Sequence, residues 1–183
     1  MFERGVPTPV AYVRYAGVWD MQDLYETMVD WFRKKKYKFH EKIYKHKHPS
    51  PFGVERQYIW EAERKETEYL MIKYKVYMHT YDAHDAEVAM LDGSKQVFTK
   101  GKLWIELQVE GQFDADVRWE KNSFYHHLKD FYNKYVLRKR WMQGYSPKHR
   151  VELYELQALI KERLKVESEG YEHRHLAGLY RRT

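Results

Sequence analysis

The sequence predicts an α+β fold: an antiparallel sheet of about five strands packed with one N-terminal helix and a C-terminal helical pair. Three observations carry this expectation. Two-residue alternation of apolar and polar side chains recurs in five segments, at 10–15, 37–48, 54–65, 68–80 and 101–114. Helical spacing of apolar residues is confined to the stretch after the first strand and to the last third of the chain. Strands therefore follow one another without intervening helices, which is the order of an antiparallel meander.

VAYVRY (10–15) reads as a first strand ending at Gly17. Asp20 is an N-cap residue for DMQDLYETMVDWFRKKK, in which Met21, Leu24, Met28 and Phe32 form a stripe flanked by Tyr25 and Val29. From Tyr37 the period becomes two, with Tyr37, Phe39 and Ile43 on one face and His40, Tyr44, His46 and His48 on the other. PSPFG (49–53) breaks that strand. Residues 54–65 then set Tyr58, Trp60 and Ala62 on one face, and residues 68–80 do the same with Leu70, Ile72, Tyr74, Val76 and Met78. LDGS (91–94) is a turn sequence. Beyond it, GKLWIELQVEGQFD gives the cleanest alternation, with Leu103, Ile105, Leu107, Val109 and Phe113 facing in and Glu106, Gln108 and Glu110 facing out. Ser123 caps a second predicted helix with a stripe of Phe124, Leu128, Phe131, Tyr132 and Tyr135; Ser146 with Pro147 starts a third, through Leu153, Leu156, Ile160 and Leu164. Residues 1–169 are expected to make a single domain, and 170–183 a polar tail or short docking helix.

Composition narrows the function classes. The absence of cysteine excludes a disulfide framework, a thiolate metal site and a cysteine nucleophile. There is no apolar run of signal-peptide or membrane-span length, so a cytoplasmic protein away from membranes is expected. The net charge of +6 is unevenly spread: residues 1–50 and 123–183 are basic, and residues 51–122 are acidic. Any surface for a polyanion must then be local.

The most conspicuous stretch is WFRKKKYKFHEKIYKHKH (31–48), with eight Lys or Arg and three His against the single acid Glu41. Arg33, Lys34, Lys35, Lys36, Lys38, Lys42, Lys45 and Lys47 offer phosphate contacts, and Tyr37 and Tyr44, where exposed, offer stacking surfaces for bases. Arg138, Lys139 and Arg140 form a second basic cluster. The competing explanation is the helix dipole, because both clusters fall at predicted helix C-termini, where cations are favoured. As metal ligands His40, His46 and His48 lack the helical or Cys/His spacing of known sites, and neither a metal nor another cofactor is expected. Asp114, Asp116 and Glu120 are a candidate carboxylate group, but no glycine-rich phosphate loop or nucleophile elbow accompanies them. Binding to RNA, DNA or an acidic protein surface is thus preferred over catalysis. In the tail, Leu176, Leu179 and Tyr180 share one helical face and suit docking on the same domain or on a second subunit.

Element order adds a second expectation. Strand, helix, antiparallel sheet and late helix in this sequence resemble the helix-grip proteins of the START and polyketide-cyclase type, which implies a small apolar ligand held between sheet and C-terminal helix. PVAYVRYAGVW also resembles the opening of gyrase-inhibitor-like small-molecule sensors. GVWDMQDLYETMVDWFRKKKYKFHEKIYKHK, KGKLWIEL and LQALIKERL together resemble a group of archaeal proteins of similar size, a likeness that transfers no activity.

Overall fold

A computed structural model describes residues 5–50, 53–89, 95–113, 127–128 and 131–166. The expectations for the 91–94 turn, for Asp114, Asp116, Glu120, Ser123 and Phe124, and for Leu176, Leu179 and Tyr180 fall outside these residues. The elements are β1 (Gly5–Pro7), β2 (Ala11–Trp19), α1 (Met21–Lys34), β3 (Lys38–Ser50), β4 (Gly53–Lys65), β5 (Leu70–Ala89), β6 (Lys95–Phe113) and, at the end of a longer helical rod, α2 (Ser146–Arg163). β1 and β2 pair with successive stretches of β6, so six strands fill five positions in the order β1/β2, β6, β5, β4, β3, all antiparallel. α1 carries the chain from one edge of the sheet to the other. The α+β class with an open antiparallel sheet, an N-terminal helix and a C-terminal helical region is the predicted one.

Local chemistry explains each boundary. Asp20 caps α1 by accepting from the backbone N–H groups of Gln22 (2.9 Å) and Asp23 (3.0 Å). The helix closes on Lys36, whose φ of 61° lies in the left-handed region, and the N–H of Tyr37 donates back to the carbonyl of Phe32 at 2.9 Å. β2 does not stop at Gly17 but runs on to Trp19, with Gly17 opposite Gly101. The interval between β3 and β4 is also tighter than PSPFG suggests, since β3 extends to Ser50 and β4 begins at Gly53.

The predicted break before Ser146 is replaced by continuity. Two π-helical stretches, Asn133–Leu137 and Trp141–Tyr145, flank a single α turn at Arg138–Arg140, and the dihedrals at Tyr145 (φ −74°, ψ −45°) and Ser146 (φ −61°, ψ −45°) remain helical. Pro147 lacks an N–H and its ring crowds the carbonyl four residues earlier. A widened π turn immediately before it accommodates both effects without ending the helix. The helical pair is thus two α segments of one rod.

The core lies between the helices and one face of the sheet. Leu24, Met28 and Phe32 of α1 and Leu153, Leu156 and Ile160 of α2 are all buried, as are Trp60, Ile72, Tyr74, Met78, Ile105 and Leu107 beneath them. The alternation read in β4, β5 and β6 is the alternation observed. Trp141 lies directly on Gly111, where any Cβ would collide with its ring, so this glycine is required for the rod to reach the sheet. The interface of 103–113 with α2 is therefore filled rather than hollow.

Candidate functional site

Two single-residue bulges shape the part of the sheet that the helices leave open. In β3, Glu41 pairs with Trp60 and Ile43 with Ile59, which leaves Lys42 as an extra residue. Alternation shifts by one beyond it. Tyr44 (opposite Tyr58) and His46 (opposite Arg56) now share the helix-covered face with Phe39 and Glu41, and Ile43 faces the solvent. This corrects the faces read from the sequence, which placed Ile43 inward and Tyr44 and His46 outward.

The second bulge lies in β5, between the pairs Tyr81–Lys102 and His84–Lys100. Asp82 there has φ 52°, and the bulged backbone is pressed between Gly53 and Gly101. A Cβ on Gly101 would come within 2.8 Å of the Tyr81 carbonyl, and one on Gly53 within 2.6 Å of the Asp82 backbone. The inward set changes from Met78 and Thr80 to Ala83 and Asp85, so the bulge turns the Asp85 carboxylate toward Thr99 and Arg56.

Between this region and the first turns of α1 lies a cleft of about 520 Å³, open to solvent at its mouth. Met21, Gln22 and Tyr25 of α1 form one wall; Glu41, Tyr44, His46, Arg56 and Tyr58 of β3 and β4 form the other; Asp85, Val97 and Thr99 close the end. The volume falls in the range of small-molecule sites. Its rings are ordered by neighbours: Tyr44 packs on Tyr58 with centroids 4.9 Å apart, and Tyr25 meets Trp60 edge-on at 4.9 Å. Its polar groups are fixed as well. Glu41 Oε2 accepts from the Tyr25 hydroxyl and from Trp60 Nε1, both at 3.1 Å. Asp85 accepts from Arg56 through both carboxylate oxygens and from the Thr99 hydroxyl at 2.7 Å. The hydrogen bond to Asp85 raises the Arg56 guanidinium further, and that from Arg56 lowers the Asp85 carboxyl, so both stay ionised. Burial raises the hydroxyls of Tyr58 and Tyr25, with the Glu41 charge adding to the effect at Tyr25, so these phenols stay neutral donors.

A second polar cluster occupies the opposite end of the helix layer. Glu152 of α2 accepts from the Tyr37 hydroxyl (3.1 Å) and from His149 Nδ1 (3.2 Å), with the Tyr74 hydroxyl at 3.5 Å and Arg64 at 3.8 Å. Arg64 also lies over the Tyr37 ring, 4.3 Å from its centroid, and donates to the Lys35 carbonyl at 2.8 Å. Burial acts to raise the Glu152 carboxyl, but the hydrogen bond and charge of His149, the charge of Arg64 and the Tyr37 hydroxyl outweigh it and bring it down to about 2. This cluster is packed shut and ties α2 to the sheet.

The basic strip divides. Tyr37 is only 4% exposed, held in the core against Phe32 and Tyr74, so it offers no stacking face. Tyr44 faces the cleft, away from the outward lysines of β3. Lys42 pairs with Glu61 (3.5 Å), Lys47 with Glu55 (2.6 Å), Lys35 with Glu155 (2.9 Å) and Arg33 with Asp30 (3.5 Å). Lys34, Lys36, Lys38 and Lys45 are solvent-facing and have no carboxylate within 4.0 Å among the described residues. β3 is an edge of the sheet, so these cations guard an unpaired strand. Arg138, Lys139 and Arg140 are exposed in the single α turn between the π stretches, and no ion pair or hydrogen bond joins them to the strip. Among the described residues no group of three or more His, Asp or Glu is placed to hold a metal ion, and no helix is long and apolar enough to cross a membrane.

Sequence reasoning named Tyr44, but as an outward residue of the strip, and it missed Tyr25, Glu41, Arg56, Asp85 and Thr99 as one site. No protein-family model matches the chain, and a search of curated proteins returns no match.

Proposed function

We propose that the protein binds a small polar molecule carrying a ring or compact apolar group in the cleft between α1 and the bulged ends of β3, β5 and β6. The observation that carries this reading is the cleft itself: three tyrosine rings, a doubly bonded carboxylate and an Arg–Asp pair converge on about 520 Å³ that no described helix covers. Convergent polar groups on a rigid apolar frame are what a ligand site needs and a packed core avoids. The polar lining and the place of the cleft differ from the apolar cavity under α2 that the helix-grip resemblance implies. The chemistry this reading assigns to the cleft is recognition, by hydrogen bonds and ring contacts.

The test is a fragment set of neutral, cationic and anionic ring compounds read by saturation-transfer NMR on the wild type and on Val97→Trp. Val97 lines the cleft and is 53% exposed, so the larger ring fills the site without touching the core. Fragments should bind the wild type and be lost from the variant. Equal binding to both, or none to either, overturns the reading.

A second reading keeps the polyanion surface on the edge strand. It is favoured by Lys34, Lys36, Lys38 and Lys45 alone, which have no carboxylate partners among the described residues to compete with phosphate. Single-stranded RNA should bind weakly and lose affinity steeply with salt, and the triple variant Lys34→Glu, Lys38→Glu, Lys45→Glu should not bind. Binding unchanged by that variant, or absent at low salt, removes this reading.

A further inference from the structure

We infer that the cleft is selective for a compact organic ammonium, a tertiary or quaternary amine, seated against Glu41 and the rings of Tyr25, Tyr44 and Tyr58; this rests on the ligand-cleft reading above. Three independent observations lead there. The first is the charge balance of the lining. Glu41 and Asp85 are acidic and Arg56 is basic, so the carboxylates of the lining outnumber its guanidinium two to one.

The second is where that charge sits. Asp85 and Arg56 neutralise one another through two hydrogen bonds, which leaves Arg56 without a free fork for an anion. Glu41 has no such partner: among the described residues no Lys, Arg or His nitrogen lies within 4.0 Å of it, and both of its described hydrogen bonds, from Tyr25 and from Trp60, fall on Oε2. Oε1 makes no hydrogen bond among the described residues. A carboxylate is thus anchored by one oxygen and presents the other to the cleft, unpaired.

The third is what surrounds it. Tyr25, Tyr44 and Tyr58 line the same volume, and the negative faces of such rings attract a cation and reject an anion. Two of their hydroxyls are already committed, because Tyr25 donates to Glu41 and Tyr44 is engaged with His46 Nδ1 at 3.2 Å. Met21 adds a polarisable apolar contact suited to methyl groups on nitrogen. A primary ammonium would be more strongly hydrated and would leave donors unpaired against the ring faces, so alkylated nitrogen fits better than a lysine-like head. Next to the cleft, sharing Gln22 and Val97 with it, a smaller hollow bears three carboxylates, Asp20, Asp23 and Glu26, against the single cation Lys95, and places further negative charge beside it.

The experiment uses a matched pair, choline and its uncharged carbon isostere 3,3-dimethylbutan-1-ol, titrated into the full chain while tyrosine and cleft methyl resonances are followed by NMR. Choline should bind about tenfold more tightly than the isostere, the scale of one well-placed cation–ring and carboxylate contact. Glu41→Gln keeps an oxygen to accept from Tyr25 and Trp60, so its fold is retained, and it should reduce the preference to about twofold or less while leaving the isostere's affinity unchanged. Equal affinities for choline and the isostere in the wild type overturn the ammonium assignment and leave the cleft reading standing. An undiminished preference in Glu41→Gln overturns the role of the carboxylate. If neither probe shifts cleft resonances while fragments from the broader set do, the ammonium assignment fails and the cleft remains a site for another chemistry; if no fragment binds either, the cleft reading itself has failed.

Discussion

The two ends of the helix layer are built from the same materials and behave differently. At one end Tyr37, Tyr74 and Glu152 meet Arg64 and His149 beneath α2; at the other Tyr25, Tyr44, Tyr58 and Glu41 meet Arg56 and Asp85 beside α1. The first set is covered and its carboxylate has four donors around one oxygen. The second is uncovered and its carboxylate keeps one oxygen unpaired. Composition therefore does not separate a structural clasp from a ligand site; coverage does, since the described contacts of both carboxylates fall on a single oxygen.

The comparison is broken most severely from the covered side. Leu156 is fully buried between α2 and the sheet, so Leu156→Ala should cost about 3 kcal/mol, by lost transfer energy and by the cavity left behind. Chemical denaturation at neutral pH measures it. A cost well under 1 kcal/mol would mean that α2 is not seated as described.

Glu152→Gln should come next, at about 2 kcal/mol at pH 7, because it removes a charge around which the Arg64 guanidinium, the His149 ring and two hydroxyls are arranged. Its pH dependence has a definite sign. The folded carboxyl titrates near 2 against an ordinary value of 4.5, so the unfolded chain binds the proton first as pH falls. The stability that Glu152 supplies is complete above about pH 5 and drains away between there and pH 2. The gap between wild type and Glu152→Gln, read from melting temperatures, should narrow over that window. A gap that widens on acidification would refute the assignment.

What the sequence revealed follows from what alternation encodes. The inward faces of β4 and β6, the stripe of α1 and the Asp20 cap were legible because each depends on spacing within one element. The cleft was not, since it depends on two bulges, and a bulge is invisible to a period-two reading until its partner strand is known. Glu41 stood in the sequence as the single acid of a basic strip, and nothing in the sequence singled out Asp85. The single legible clue was glycine: Gly53 and Gly101 stand on the strands flanking β5, and both are needed where its backbone comes close. Pro147 misled in the opposite sense, because the π turn that tolerates it inside a helix has no sequence marker of its own.

The bulge itself can be removed to sharpen the comparison. Deleting Lys42 removes the bulge without changing the faces: Ile43 then follows Glu41 directly and stays outward opposite Ile59, and Tyr44 and His46 stay inward opposite Tyr58 and Arg56. The loss of one rim ion pair with Glu61 matters little, and the strand is an edge, so the expected cost is about 1 kcal/mol. Ligand binding should therefore survive, with cross-strand NOEs still joining Tyr44 to Tyr58. Loss of binding would show that the bend and twist of the bulge, and not the inward phase of Tyr44 and His46 alone, form the site.

Tyr44→Ala makes the smallest change in stability and separates the two ends most sharply. Tyr44 is 49% exposed and its apolar contact is with Tyr58 directly across the strand pair, an aromatic cross-strand contact worth at most about 1 kcal/mol at a sheet edge. Its hydroxyl meets only His46, itself exposed, so no buried group is orphaned. Tyr74 at the covered end is fully buried, with its hydroxyl 3.3 Å from the His149 carbonyl, and Tyr74→Ala should cost several times more, in the range of about 3–5 kcal/mol for a large buried ring. If the open end is kept for binding, its tyrosine can be removed with little loss of stability and large loss of affinity, while Tyr74→Ala lowers stability first and affinity only through unfolding. Measuring both quantities on both variants decides it: a Tyr44→Ala protein that melts as low as Tyr74→Ala would make Tyr44 a structural residue and close the distinction between the two ends.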